Sequence, residues 1–228
     1  MRLLLPLLLV LISCGGSHSK KKSSASTPTT PAVNQEQPTP PTDPVEPEVV
    51  TEFTDQGKFT MSFSAVNPKI FNYKGTGSLN IDAPSFSSTT KATHAPFLRT
   101  VYQNLYQGTC PTLADDRNGD GIVDIEEASE VLGTKLMALD SNLENAESNL
   151  DKFPRTNIFG YFSFSTSGRV AKILPQFEAG SKIDPADLVV LTQGLPSYVR
   201  LPASVRSTQG ISATETLPVA CATLSAAP

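Results

Sequence analysis

Phe59, Met61, Phe63 and Ala65 are separated by Thr60, Ser62 and Ser64. A period of two sends every apolar side chain to one face of an extended strand; a helix would scatter them around its axis. The same style returns after a turn in Gly75-Thr76-Gly77-Ser78-Leu79-Asn80-Ile81. It recurs in Ile158-Phe159-Gly160-Tyr161-Phe162-Ser163-Phe164, Leu188-Val189-Val190-Leu191 and Leu217-Pro218-Val219-Ala220-Cys221. Pro218 has no N–H to donate, so it belongs at a strand start or on an edge strand. Strands with one dry face must cover it with a second layer. The expected fold is therefore mainly β, an antiparallel, Greek-key-like β-sandwich, with one or two short helices. Residues 125–132 read as one helix, and 140–150 as another, with Leu143, Ala146 and Leu150 at spacings of three and four. Pro175, Pro185, Pro196 and Pro202 cut the C-terminal third into short pieces, and no internal repeat is present.

The first fifty residues cannot join that core. Arg2 precedes an apolar stretch, Leu3 to Ile12, which ends at Ser13-Cys14-Gly15-Gly16. One positive charge, a short apolar region and small residues make an export signal, and the stretch is too short to span a bilayer. From Ser17 to Val50 the chain is rich in Ser, Thr, Pro, Lys and Glu and has no apolar periodicity. Such a composition cannot bury enough surface to offset its ordering entropy. Residues 14–50 thus read as a tether and residues 51–228 as one folded domain. The Lys20-Lys21-Lys22 run is positioned to meet anionic head groups or simply to be solvated.

Leu11-Ile12-Ser13-Cys14 resembles the lipobox of bacterial lipoproteins. That resemblance implies removal of residues 1–13 and a lipidated Cys14 that holds the chain on a membrane. Gly15 rather than Asp after the cysteine implies the outer membrane in the enterobacterial sorting pattern. Lipidation of Cys14 leaves Cys110 and Cys221 over. In an exported protein these two read as a disulfide, the alternative being two separate buried thiols.

The segment that carries chemistry is Asp116-Arg117-Asn118-Gly119-Asp120-Gly121-Ile122-Val123-Asp124-Ile125-Glu126-Glu127. Asp116, Asn118 and Asp120 at positions 1, 3 and 5 turn alternate oxygens inward onto a hard cation. Gly121 permits the sharp bend at position 6, and Ile122 offers a backbone carbonyl. Asp124 at position 9 binds directly or through water, and Glu127 at position 12 reaches back with both oxygens. Four carboxylates this close repel one another without a cation, which argues against a purely structural loop. The pattern resembles the EF-hand calcium loop over 116–127. It departs from that family on its entering side, where Cys110 to Asp115 leaves room for about one helical turn. There is one loop and not a pair, and Met61 and Met137 alone cannot supply a methionine-rich groove. A structural Ca²⁺ clip is the expected use.

A fainter resemblance spans more of the domain. A strand, a Gly-x-Gly strand, Gln103-Asn104-Leu105-Tyr106-Gln107-Gly108-Thr109-Cys110-Pro111, the acidic loop and the closing Leu217–Cys221 segment are similar to CHRD and copper/zinc superoxide dismutase-like β-sandwich lipoproteins. The family's His-x-His positions fall on Asn104 and Tyr106, which are poor transition-metal ligands. The resemblance implies a sandwich without that redox chemistry.

What remains is narrowed by exclusion. Only His18 and His94 are histidines, which rules out most histidine-based chemistry: a Ser-His-Asp triad with a spare, an HExxH zincin and a three-His zinc site. No basic face appears among 18 basic and 22 acidic residues, which excludes nucleic acid as a partner. No GxSxG or HExxH motif is present to support an enzyme, and Asp184/Asp187 or Asp115/Asp116 are pairs too common to nominate. His94 reads as a surface or structural residue, and Tyr102, Tyr106 and Phe97 as core aromatics. The expected protein is an exported, membrane-anchored calcium-binding lipoprotein with a structural or binding role. Its partner is an envelope protein or a glycan. The alternatives are a calcium-dependent adhesin or carbohydrate-binding module, distinguished by a pocket beside the loop, and a calcium-assisted envelope hydrolase.

Overall fold

The computed structural model describes residues 50–145 and 150–228. The export signal, Cys14 and nearly all of the tether lie outside them. So do residues 146–149 of the proposed second helix.

The alternating segments form strands. β1 (Glu52–Phe53) is followed by a meander of β2 (Gly57–Ala65), β3 (Lys74–Asp82) and β4 (Ser85–His94). β5 (Tyr102–Gln107), the helix α1 (Ile125–Leu132) and β6 (Thr134–Ala138) come next. The chain ends with β7 (Phe162–Arg169), α2 (Val170–Ile173), β8 (Lys182–Ile183), β9 (Leu188–Gln193), α3 (Ala213–Thr216) and β10 (Pro218–Ala226). Eight strands make one antiparallel sheet in the order β6-β5-β9-β10-β2-β3-β4-β7. The mainly β, antiparallel expectation holds, with the parallel pair β1–β8 as a small exception.

The sheet curls until its two halves face each other. Thr90 on β4 donates a hydrogen bond to Gln103 Oε1 on β5 at 2.8 Å, although four strands separate them in the ladder. Between the halves lie Phe59, Met61, Leu79, Ile81, Phe86, Leu105, Val190 and Leu224, all buried. Opposite faces of β2 to β4 carry Thr60, Ser62, Ser78, Ser87 and Thr89, so the hydroxyl side of each strand meets water. Such a half-wet sheet needs this alternation. Phe53 closes one end of the sandwich, stacked on Phe86 with ring centres 6.0 Å apart.

Pro218 opens β10, an interior strand between β9 and β2, where its missing N–H costs least. β9 is buried at all six positions, which is why its sequence runs apolar instead of alternating. Two expectations fail. The strand expected from Ile158 begins only at Phe162, because Asn157 Oδ1 accepts from both Phe159 N and Tyr161 N at 2.9 Å and folds 157–161 into a turn. Residues 140–145 are not helical; Asp140 Oδ1 takes the N–H of Asn142 at 2.7 Å, a local bond that competes with a helix. Leu143 is buried all the same, beside β7.

Candidate functional site: the acidic loop and the cavity beside it

The loop begins one short turn after Cys110. Thr112 caps the 3-10 turn Leu113–Asp115, and Asp115 returns its carboxylate to Thr112 N at 2.7 Å. The entering element is thus the single turn its length allows. Asp116 Oδ1 then accepts from Gly119 N at 2.9 Å and Oδ2 from Gly121 N at 2.7 Å. Asn118 Oδ1 accepts from Asp120 N, and Asp120 Oδ1 from Ile122 N, both at 2.9 Å. These successive side-chain turns wind the backbone round the oxygens of positions 1, 3 and 5. Gly121 sits at φ +84°, a conformation that favours glycine.

The loop closes through Glu127. Its Oε1 accepts from Arg117 N at 3.0 Å and Asn118 N at 3.1 Å, while Oε2 accepts from Asp124 N at 3.0 Å. Asp124 caps α1, its Oδ1 accepting from Glu126 N at 2.9 Å and Glu127 N at 3.0 Å. Position 12 thus ties the first residues of the loop to the helix start. Among the described residues no three His, Cys, Asp or Glu side chains converge into a metal-binding cluster. In this geometry the loop carboxylates point at N–H and hydroxyl donors.

Two contacts fasten the loop to the sandwich. Asn67, only 2% exposed, accepts from Val123 N at 2.8 Å and donates Nδ2 to Val123 O at 2.9 Å and to Pro218 O at 2.8 Å. Its carboxamide occupies both backbone groups of Val123 as a neighbouring strand would. The second is the disulfide between Cys110 and Cys221, Cα atoms 5.6 Å apart, which joins the segment ahead of the loop to β10. The expected pairing is therefore present.

The outer side is held by residues that sequence reasoning did not nominate. Ser204 Oγ donates to Asp120 Oδ2 at 2.5 Å, and Arg206 N donates to Asp124 Oδ2 at 2.6 Å. Both belong to the long connection from β9 to β10. That connection continues to Thr208 and Ile211, which line a cavity of about 300 Å³. Ile125, the first residue of α1, lines it from the other side.

The cavity carries aromatic and polar groups together. Tyr102 and Tyr106 project from β5, and Tyr102 meets Phe153 edge-on at 5.3 Å. Asn104, between the tyrosines, is 5% exposed and donates Nδ2 to Gln193 Oε1 at 3.1 Å. Gln193 Nε2 donates in turn to Thr216 O at 2.7 Å, which fixes both carboxamides. Asn104 Oδ1 is buried and accepts no hydrogen bond. Burial pushes the Tyr106 phenol up to about 12, and it raises Tyr102 too, aided by the negative charge of Glu215. Burial lowers Lys135 on β6, with Asp140 opposing. Around neutrality both phenols are therefore neutral donors. Tyr102 and Tyr106 line the cavity wall, Tyr106 also packing against the smaller core cluster of Val123, Leu132 and Leu191, while Phe97 is exposed. The spacing of the two tyrosines with Asn104 was a legible signal: residues 102, 104 and 106 fall on one face of β5.

No family model matches the chain, and neither curated proteins nor solved structures give a match. The site must be read on its own geometry. Asp116, Asn118, Asp120, Ile122, Asp124 and Glu127 lie in one closed loop, as their spacing requires. His94 lies elsewhere, stacked on Phe71 with ring centres 5.0 Å apart.

Proposed function

We propose that this chain is an exported, lipid-anchored binding protein of the bacterial cell envelope, held at the outer membrane through Cys14. In this reading Ca²⁺ in loop 116–127 is a stabilising ion. The residues that would hold it are Asp116, Asn118, Asp120, Asp124 and Glu127 with the carbonyl of Ile122. Calcium supplies charge compensation for four crowded carboxylates, each exchanging part of its N–H bonding for the ion. An extracellular affinity of about 10⁻⁴–10⁻³ M suits such a clip.

One observation carries the binding role: the loop and the cavity share their walls. Ile125 follows Asp124 directly, and the segment held by Asp120 and Asp124 runs on to Thr208 and Ile211. Ordering the loop would order two sides of the cavity. Tyrosine faces beside fixed carboxamides suit a ligand with hydroxyl groups around an apolar ring face, as a glycan unit has.

Thermal melting with and without millimolar calcium, alongside Glu127→Gln, tests the ion. A rise of several degrees that the variant abolishes supports the reading. No shift, with no heat of calcium binding by titration calorimetry, overturns it. Titration with mono- and disaccharides, against Tyr106→Ala, tests the ligand.

A further inference from the structure

Six large apolar residues, Phe97, Leu98, Ile158, Phe159, Tyr161 and Tyr198, are between 42% and 69% exposed. They sit on three turns that the fold binds together: 95–100, 154–161 and 195–201. Ala95 N donates to Gly160 O at 3.0 Å and Leu98 N to Asn157 O at 3.2 Å. Phe97 meets Tyr198 with ring centres 5.8 Å apart. Exposed apolar residues scattered singly are ordinary, but a contiguous patch marks a contact surface.

These turns are rigidly built. Buried Thr156 clamps the first: its Oγ1 donates to Pro96 O at 2.6 Å and accepts from Arg99 N at 3.0 Å. Leu98 is held at φ +53°, in the left-handed region that a leucine avoids. Gly160 is at φ +73°, and a Cβ there would come within 2.1 Å of Ala95 O. Arg99 Nε donates to Leu195 O at 3.1 Å and fastens the third turn to the first. The fold thus spends buried hydrogen bonds and backbone strain on holding bulky apolar side chains in water.

We infer that this three-turn surface docks on an anionic lipid bilayer. Three observations choose that occupant. Aromatic and aliphatic tips suit the head-group region, where tyrosine and phenylalanine rings settle. The turns contain Arg99, Arg155 and Arg200 and no Asp or Glu, in a chain of net charge −4. Finally, 36 peptide links separate Cys14 from Val50. Even at full extension that is about 120 Å, so an anchored domain never leaves the neighbourhood of a membrane. This last argument alone rests on the anchor proposed above.

The test removes the anchor. Residues 14–228 carrying Cys14→Ser are sedimented, in calcium-free and calcium-containing buffer, with vesicles of phosphatidylethanolamine and phosphatidylglycerol and with vesicles of pure phosphatidylcholine. Sedimentation with the anionic vesicles that falls at high salt is expected. Phe97→Ser/Phe159→Ser/Tyr198→Ser, all on exposed tips, should cut the partition at least about tenfold at an unchanged melting temperature. Arg155→Glu/Arg200→Glu should cut it roughly fivefold or more per charge on anionic vesicles only. No sedimentation of the parent chain overturns the inference, as does a triple variant that binds equally well. Self-association or capture of a protein partner through the patch, without vesicle binding, overturns it too. Because every chain lacks the acyl site, failure here leaves the anchor, calcium and glycan proposals standing.

Discussion

Replacing Asn67 by Ala should detach the acidic loop from the sandwich. Three hydrogen bonds go: one that satisfies Val123 N and two that satisfy Val123 O and Pro218 O. Val123 is fully buried and Pro218 is buried, so water cannot replace these partners without opening the structure. An orphaned buried N–H or C=O costs about 1–3 kcal/mol. Taking about 2 for the N–H and about 1 for each carbonyl, which has a second lone pair, gives about 4 kcal/mol. For a domain of this size that is a fall of roughly 8–16 °C in Tm. Asn67→Asp separates hydrogen bonding from packing, since it keeps the shape and the acceptor but turns lone pairs towards two carbonyls. It should be at least as damaging as Asn67→Ala at pH 7. Calorimetric melting of both variants, with hydrogen exchange at Val123 N, measures the effect. A loss below about 1 kcal/mol, or unchanged protection at Val123, would refute the reasoning.

Other outcomes follow from the same geometry. Reduction of Cys110–Cys221, or Cys110→Ser/Cys221→Ala, frees a span of 111 residues. It should cost about 4.8 kcal/mol in the chain-entropy model, a Tm fall of roughly 10–19 °C readable with and without reductant. Tyr106 has its folded pKa pushed up to about 12 from an ordinary 10, and buried Tyr73 is raised further. Both are neutral in folded and unfolded chains below pH 10, so nothing is lost there. Above it the unfolded chain sheds protons first, and stability should fall by up to about 1.4 kcal/mol per pH unit per tyrosine. Tyr106→Phe should flatten the denaturation midpoint between pH 10 and 12. Leu98→Gly relieves a left-handed leucine and should raise Tm by roughly 1–4 °C while weakening vesicle binding. The Arg169 guanidinium and its backbone N–H hold the Glu144 carboxyl down to about 2. Its contribution is present above the ordinary carboxyl range and is lost as pH falls towards 2, which an NMR titration of Glu144 follows.

Local chemistry and periodicity were legible in the sequence because their causes are local. β2, β3, β9 and β10 follow from alternation or apolar runs, and α1 starts at Ile125 because Asp124 caps it and Glu127 completes the capping box. The loop residues lie in one closed turn because Asp116, Asn118, Asp120, Asp124 and Glu127 each accept from nearby backbone N–H groups. The Cys110–Cys221 pair was also readable, since the expectation of a lipidated Cys14 leaves those two thiols for each other. Ile158 to Tyr161 read as strand by composition, but the side chain of Asn157 bends them into a turn.

What only the tertiary structure decided is long-range pairing. Asn67 lies 56 residues from Val123, and nothing in its own neighbourhood marks it as the loop's partner. Ser204 and Arg206 meet Asp120 and Asp124 across 84 and 82 residues. The cavity and the aromatic turn surface likewise exist only once β5, β9 and their connections lie side by side. A sequence records which groups each residue brings. Which of them meet depends on how the curled sheet brings distant segments together, and that is a property of the whole chain.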